Sequence, residues 1–275
     1  MKSVQHNAYK LFYADYGSGF PVVLVHGLAE DHNVWNDVAG ELKNSMRLLI
    51  PDLPGWGKSE LPSDLKSMND FADAVYAILK AEHIDECVMI GHSMGGYVTL
   101  AFAEEYSDML EGFGLFQSSA LADDETEKQN RDKVADFVIR IGVAPYINEL
   151  YDTLFSKSYY QTQATQLSDL KKYAAQFSAE TISASVLAMK NRPDRTEVLK
   201  QSEVPVLFVI GDEDGAAPPE KVLPQTFMPG FSEVFWLNNC GHMGHIEYPY
   251  QSAKFISTFI NNTVLKNQLL TKTIQ

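Results

Sequence analysis

Only two cysteines, Cys87 and Cys240, occur in 275 residues, too few for a disulfide framework. Cys87 opens an apolar run and reads as core packing; Cys240, just ahead of His242, reads as structural. Positive charge is also scarce. Lys and Arg number 22 against 36 Asp and Glu, giving a net charge of −14. An acidic surface repels phosphate backbones and anionic lipid, so no nucleic-acid or membrane-surface partner is expected. No apolar run approaches the ~18 residues that suggest a transmembrane helix. The opening MKSVQHNAYKLFYADYG lacks the apolar stretch and cleavage pattern of a secretory signal, so a cytoplasmic location is expected. No His, Cys, Asp or Glu cluster has metal-ligand spacing, and no GxGxxG follows a strand. Neither a metal nor a cofactor is expected.

What is present is ordinary globular material, 45% hydrophobic and 21% charged, enough to bury a large core. Tyr9 to Tyr16 alternates like a strand and ends at Gly17-Ser18-Gly19. Short β-branched or apolar runs follow at Val22–Val25, Arg47–Ile50, Cys87–Ile90 and Phe113–Phe116. Between Met68 and Lys80 the apolar residues Phe71, Val75, Ile78 and Leu79 fall on one helix face, with Asn69 or Asp70 as possible caps. Tyr97 to Tyr106 reads as another helix. Strands alternating with helices predict a mostly parallel sheet covered on both faces.

That rhythm stops after Ser119. Residues 121–198 are polar, tyrosine-rich and helical in period, with Pro193-Asp194 marking the return. Strand signals resume at Val204–Ile210 and Val234–Leu237. The expected organisation is a core of residues 1–120 and 199–275, with 121–198 as a helical lid.

The chemistry centres on Gly91-His92-Ser93-Met94-Gly95-Gly96, set between a strand and a helix. A serine hydroxyl is a weak nucleophile, so it needs a neighbouring base and a rigid, exposed position. A sharp strand-to-helix turn supplies the position, and Gly91 and Gly95 let the adjoining turns approach. The following helix aims free N–H groups at the site. Asp52 to Ser59 contains two glycines and a Lys-Ser pair but lacks the GxxxxGK[ST] spacing of a phosphate loop, and reads as a structural loop.

The runs VVLVHG, Trp35, PDLPGWGKS, VMIGHSMGG, VLFVIGDEDGAAP and NNCGHMGHIEYP resemble the α/β-hydrolase superfamily, in its lid-bearing branch of serine esterases and carbon–carbon bond hydrolases. The resemblance spans nearly the whole chain outside 121–198. It implies an α/β fold: a mostly parallel central sheet flanked by helices, with the lid inserted after the sixth strand. It makes Ser93 the nucleophile, His242 the general base and Asp214 the acid that orients the base, in the chain order this fold uses. Asp212 is the rival acid and His245 the rival base, while His92 is expected to pack beneath the turn. The backbone N–H groups of Leu28 and Met94 would form the oxyanion hole.

The expected partner is a small ester-like molecule. Carbon–carbon cleavage of a diketone or lactone hydrolysis stands second, and would call on lid arginines such as Arg140, Arg192 or Arg195. A small-molecule receptor with little turnover is the reading from another class. Ser93 argues against the epoxide hydrolases and haloalkane dehalogenases of this fold, which resemble it but use an aspartate nucleophile.

Overall fold

The computed structural model describes residues 1–265. Eight strands among these residues form one sheet: β1 Lys2–His6, β2 Tyr9–Gly17, β3 Phe20–Val25, β4 Met46–Asp52, β5 Cys87–His92, β6 Leu110–Phe116, β7 Val206–Gly211 and β8 Ser232–Leu237. Their spatial order is β1-β2-β4-β3-β5-β6-β7-β8. Only β2 runs against its neighbours β1 and β4; every other pair is parallel. The central strands β5 and β7 are buried along their whole length, which is why their sequences are continuous apolar runs.

Helices cover both faces. Among the described residues these are α1 Asn36–Leu42, α2 Met68–Ala81, α3 Met94–Glu105, α4 Glu125–Arg140, α5 Val143–Leu154, α6 Lys157–Thr162, α7 Ala164–Ala174, α8 Ala179–Lys190, α9 Thr196–Lys200, α10 Pro219–Val222, α11 Gly244–Glu247 and α12 Pro249–Ile260. One apolar layer joins β3, β5 and β7 side chains to α2, α3 and the insertion; the other packs α1 and α12 on the opposite face.

Two local expectations are corrected, and one strand is added. β1 offers a single apolar side chain, Val4, packed at the edge of the core, and so escapes a hydrophobicity reading; it pairs with β2 from Lys2↔Tyr13 to His6↔Tyr9. The cap of α2 is Ser67, whose hydroxyl accepts the Asp70 N–H while Asp70 accepts the Ser67 N–H. Strand β7 begins at Val206, because Pro205 has no N–H to give the ladder.

Between β6 and β7 the chain is helical, carrying α4 to α9 without a strand. This insertion is bolted to the loops at the sheet's carboxyl edge. Tyr151 Oη donates to the Ala29 carbonyl at 2.9 Å, and Leu154 O accepts the His242 N–H at 2.5 Å. Trp56 Nε1 donates to Ser185 Oγ at 3.1 Å, and Thr181 Oγ1 donates to Gly55 O at 3.0 Å.

Candidate active site

Ser93 sits between β5 and α3 with φ 52° and ψ −117°, a left-handed conformation unusual for serine. The surroundings hold it there. Its N–H donates to Phe116 O at 3.1 Å, and its carbonyl accepts from Ser118 Oγ at 2.7 Å. A β-carbon on Gly91 would lie 2.0 Å from Gly95 O, so the turn closes only around glycine.

His242 lies in the loop after β8, with Nδ1 at 2.9 and 2.8 Å from the two Asp214 oxygens. A carboxylate only accepts, so Nδ1 is the nitrogen that donates to Asp214, and in the neutral ring Nε2 is the one left with a lone pair. Both groups are buried. Asp214 Oδ1 also accepts the N–H groups of Ala216 at 2.9 Å and Ala217 at 2.8 Å, which fix the carboxylate's orientation. Asp212, the rival acid, points elsewhere and accepts the Cys240 N–H at 3.0 Å. Gln117 brackets the histidine loop: Nε2 donates to Gly241 O and Oε1 accepts the Gly244 N–H.

Beneath the turn at Ser93 lies a buried polar group that sequence reasoning passed over. Glu30 Oε2 accepts the Gly27 N–H at 2.6 Å and faces His92 Nδ1 at 3.1 Å. His92 Nε2 lies 2.8 Å from the His242 carbonyl. Both His92 nitrogens therefore face acceptors, which makes the ring an imidazolium paired with a glutamate anion. Burial pushes the Glu30 carboxyl up, but the His92 charge and hydrogen bond outweigh it, with help from the Gly27 N–H, and hold it at about 2. Burial alone would lower His92; the Glu30 charge and hydrogen bond reverse the direction and raise it.

His245, the rival base, is fully buried with its ring 4.8 Å from that of Trp35, and neither nitrogen has a hydrogen-bond partner. Burial first, then the His92 charge, drives it well below its ordinary value. Glu30, His92 and His245 thus bring three ligand-type atoms within 4.8 Å of one another, a cluster invisible in sequence spacing. The Glu30 oxygen nearest His92 is already taken by two donors.

The Gly27–Glu30 loop follows β3. His26 Nε2 accepts the Leu53 N–H at 3.0 Å and Nδ1 donates to Gly27 O at 2.8 Å, so the ring is neutral and splints the loop. Among the described residues, the Leu28 and Met94 N–H groups have no hydrogen-bond partner. The 52–59 loop is closed on itself: Asp52 accepts the Lys58 N–H at 2.9 Å and pairs with His32 at 2.7 Å.

Ser93, His242 and Leu28 line one cavity of about 100 Å³, walled by Tyr97, Tyr146 and Met189 and also touched by Arg131. No hydrogen bond joins Ser93 Oγ to His242 among the described residues; such bonds often tighten only with substrate present. The arginines named from sequence lie elsewhere. Arg140 is exposed beside Asp136, Arg195 pairs with Glu104, and Arg192 pairs with Asp123. A larger groove of about 560 Å³, near Glu104 and Glu197, contains none of the groups predicted for the chemistry.

Residues 21–249 match the family model for the alpha/beta hydrolase fold. The chain belongs to that family. This α/β-hydrolase superposes on a thermophilic esterase from Thermogutta terrifontis, solved with malate bound, at TM-score 0.91 and 28% identity, covering 96% of this chain and 99% of that one. It is 23% identical over 261 residues to a 2-hydroxymuconate semialdehyde hydrolase from Pseudomonas sp. (strain CF600), covering 90% of this chain and 88% of the relative. It is 24% identical over 271 residues to Lipase 1 of Psychrobacter immobilis, covering 91% and 80%.

Proposed function

We propose that this α/β-hydrolase cleaves a small carboxylic ester through an acyl-enzyme on Ser93. The observation that carries the reading is the buried Asp214–His242 pair, whose proton sits on Nδ1 and leaves Nε2 basic beside the cavity that Ser93 lines. His242 takes the serine proton as Ser93 Oγ attacks the ester carbonyl. The developing oxyanion meets the unpartnered N–H groups of Leu28 and Met94. His242 then gives its proton to the leaving alcohol, and a water activated by the same nitrogen releases the acid. Asp214 keeps the imidazole tautomer and stabilises the imidazolium.

Residues 121–198 act as a cap over the core built from 1–120 and 199–275. Their contacts with Ala29, Gly55 and the His242 N–H support a role in covering the reacting groups and excluding water. The cavity of about 100 Å³ is below the usual ligand-site range of roughly 300–1,000 Å³, which favours a short acyl chain. The similarity to a semialdehyde hydrolase keeps carbon–carbon cleavage as a second reading on the same triad.

The test is turnover of 4-nitrophenyl acetate and butyrate by wild type and Ser93→Ala, with fluorophosphonate labelling of both. Multiple turnover and labelling in wild type, both lost in the variant, is the expected result. Labelling with a single burst and no further turnover would favour a receptor, and activity surviving in Ser93→Ala would remove the mechanism.

A further inference from the structure

Arg131 is the one arginine on α4 whose side chain reaches the cavity shared by Ser93 and His242. Its guanidinium is tethered at one point: Nε donates to Asp123 Oδ2 at 3.0 Å. The two terminal nitrogens have no hydrogen-bond partner among the described residues, and the side chain keeps 27% of its surface accessible. A guanidinium fork with four free N–H donors is built to take a planar carboxylate through two parallel bonds.

Charge balance points the same way. Asp123 is buried and is shared by two arginines, since its other oxygen lies 2.7 Å from Arg192 Nη1. Arg192 is otherwise consumed: it donates to the carbonyls of Leu121 and Met189, and its guanidinium lies 3.9 Å from the Tyr97 ring centroid. Two cations against one anion leave a single positive charge uncompensated, and the free end of Arg131 is where it meets the cavity. Glu30, the other carboxylate lining that space, is already engaged by His92 and the Gly27 N–H. Tyr97 and Tyr146 border the same space, and neither hydroxyl has a partner among the described residues. Burial pushes the Tyr146 hydroxyl up to about 12, so it remains a neutral donor.

Resting on the ester-hydrolase reading, we propose that Arg131 is a specificity-determining residue that binds an ionised carboxylate on the substrate, so that the preferred substrates are esters or lactones bearing a second, free acid group. On a protein with a net charge of −14, an anionic substrate needs a local cation of this kind.

The probes are monomethyl succinate, an anionic ester, and methyl pentanoate, its neutral counterpart, followed by acid release. The preference for the anionic ester in wild type should fall on the order of 100-fold in Arg131→Gln, as when one partner of a buried charge pair is removed. The exposed Arg140→Gln, which removes the same charge from the surface, should leave the preference intact. Arg131→Lys, which keeps the charge without the fork, should fall between wild type and Arg131→Gln, and serves if the glutamine variant does not fold. A wild type that shows no preference for the anion, or variants that lose both esters in proportion, would overturn the assignment.

Binding separates this inference from the catalytic one. Calorimetry of monomethyl succinate with Ser93→Ala should give binding that is lost in Ser93→Ala/Arg131→Gln. Binding without turnover in wild type would remove the ester-hydrolase reading and leave the carboxylate site standing. No binding to Ser93→Ala would remove the carboxylate site.

Discussion

His92 Nε2 lies 2.8 Å from the main-chain oxygen of His242, so the residue before the predicted nucleophile holds the loop of the predicted base. Its other nitrogen is paired with Glu30, which in turn holds the Gly27 N–H of the loop after β3. One buried ion pair thereby ties together the three backbone segments from which the site is built.

Removing one half of that pair should be costly. His92→Leu leaves Glu30 buried without its cation, an arrangement that typically costs about 3–5 kcal/mol. Urea unfolding should show a lower midpoint with little change in slope. The double variant His92→Leu/Glu30→Gln should recover part of the loss, because the uncompensated charge is gone. Equal stability of the single and double variants would argue against the ion pair.

Acid sensitivity should carry a His245 signature. The unfolded ring takes up a proton as pH falls through about 6.5. The native ring, held well below that by burial and the His92 charge, does not. Below about 6.5 the unfolded state therefore binds more protons, and stability declines with falling pH. His26, lowered chiefly by burial, acts in the same direction. His92 acts oppositely: its contribution is complete below about 6.5 and is lost as pH rises through its raised value. Glu30 contributes above about 4.5 and loses that only as pH falls towards about 2. His245→Leu should therefore shrink the difference in melting temperature between pH of about 5.5 and 6.5. An unchanged slope would mean the native ring protonates freely.

Glycine substitutions should divide by backbone space. A β-carbon at Gly91 would meet Gly95 O at 2.0 Å, and backbone cannot swing aside, so Gly91→Ala should destabilise by more than about 3 kcal/mol. Gly40, exposed in α1, has nothing within 4 Å of the added carbon. Gly40→Ala should raise stability by about 0.5–1 kcal/mol through helix propensity. Thermal melts of both variants make the comparison.

Asp214 and Asp212 separate the orienting acid from its neighbour. Asp214→Asn should reduce kcat by about 10⁴-fold, since an amide can hold the wrong imidazole tautomer. Asp212→Asn loses a charge that contacts only the Cys240 N–H, and should change kcat by less than about threefold. Steady-state kinetics on one ester settles the assignment.

Much of the fold was legible because the buried strands advertise themselves. A strand covered on both faces, such as β5 or β7, must be apolar throughout, and its sequence says so. β1 was silent because an edge strand with a single apolar side chain pairs through its backbone, which hydrophobicity does not report. The Asp214–His242 contact and the turn at Ser93 follow motifs whose spacing is local to a strand end. The Glu30–His92–His245 cluster is different, because its members meet only when the loop after β3, the end of β5 and the short helix α11 converge. Arg131 was equally hidden: nothing in its own stretch of sequence separates it from Arg140, and only the folding of α4 sends one inward and the other to solvent.

The joint between the insertion and the base loop is made of main chain on both sides: Leu154 O accepts the His242 N–H, and a β-carbon on Gly241 would strike Leu154 O at 2.5 Å. A contact of that kind does not read side chains. On the proposed reading, side chains of the insertion can change while the imidazole stays where it is, provided one carbonyl keeps its place at the end of α5. Under that reading, a change of substrate need not disturb the base, and Gly241 is the position where the two requirements meet.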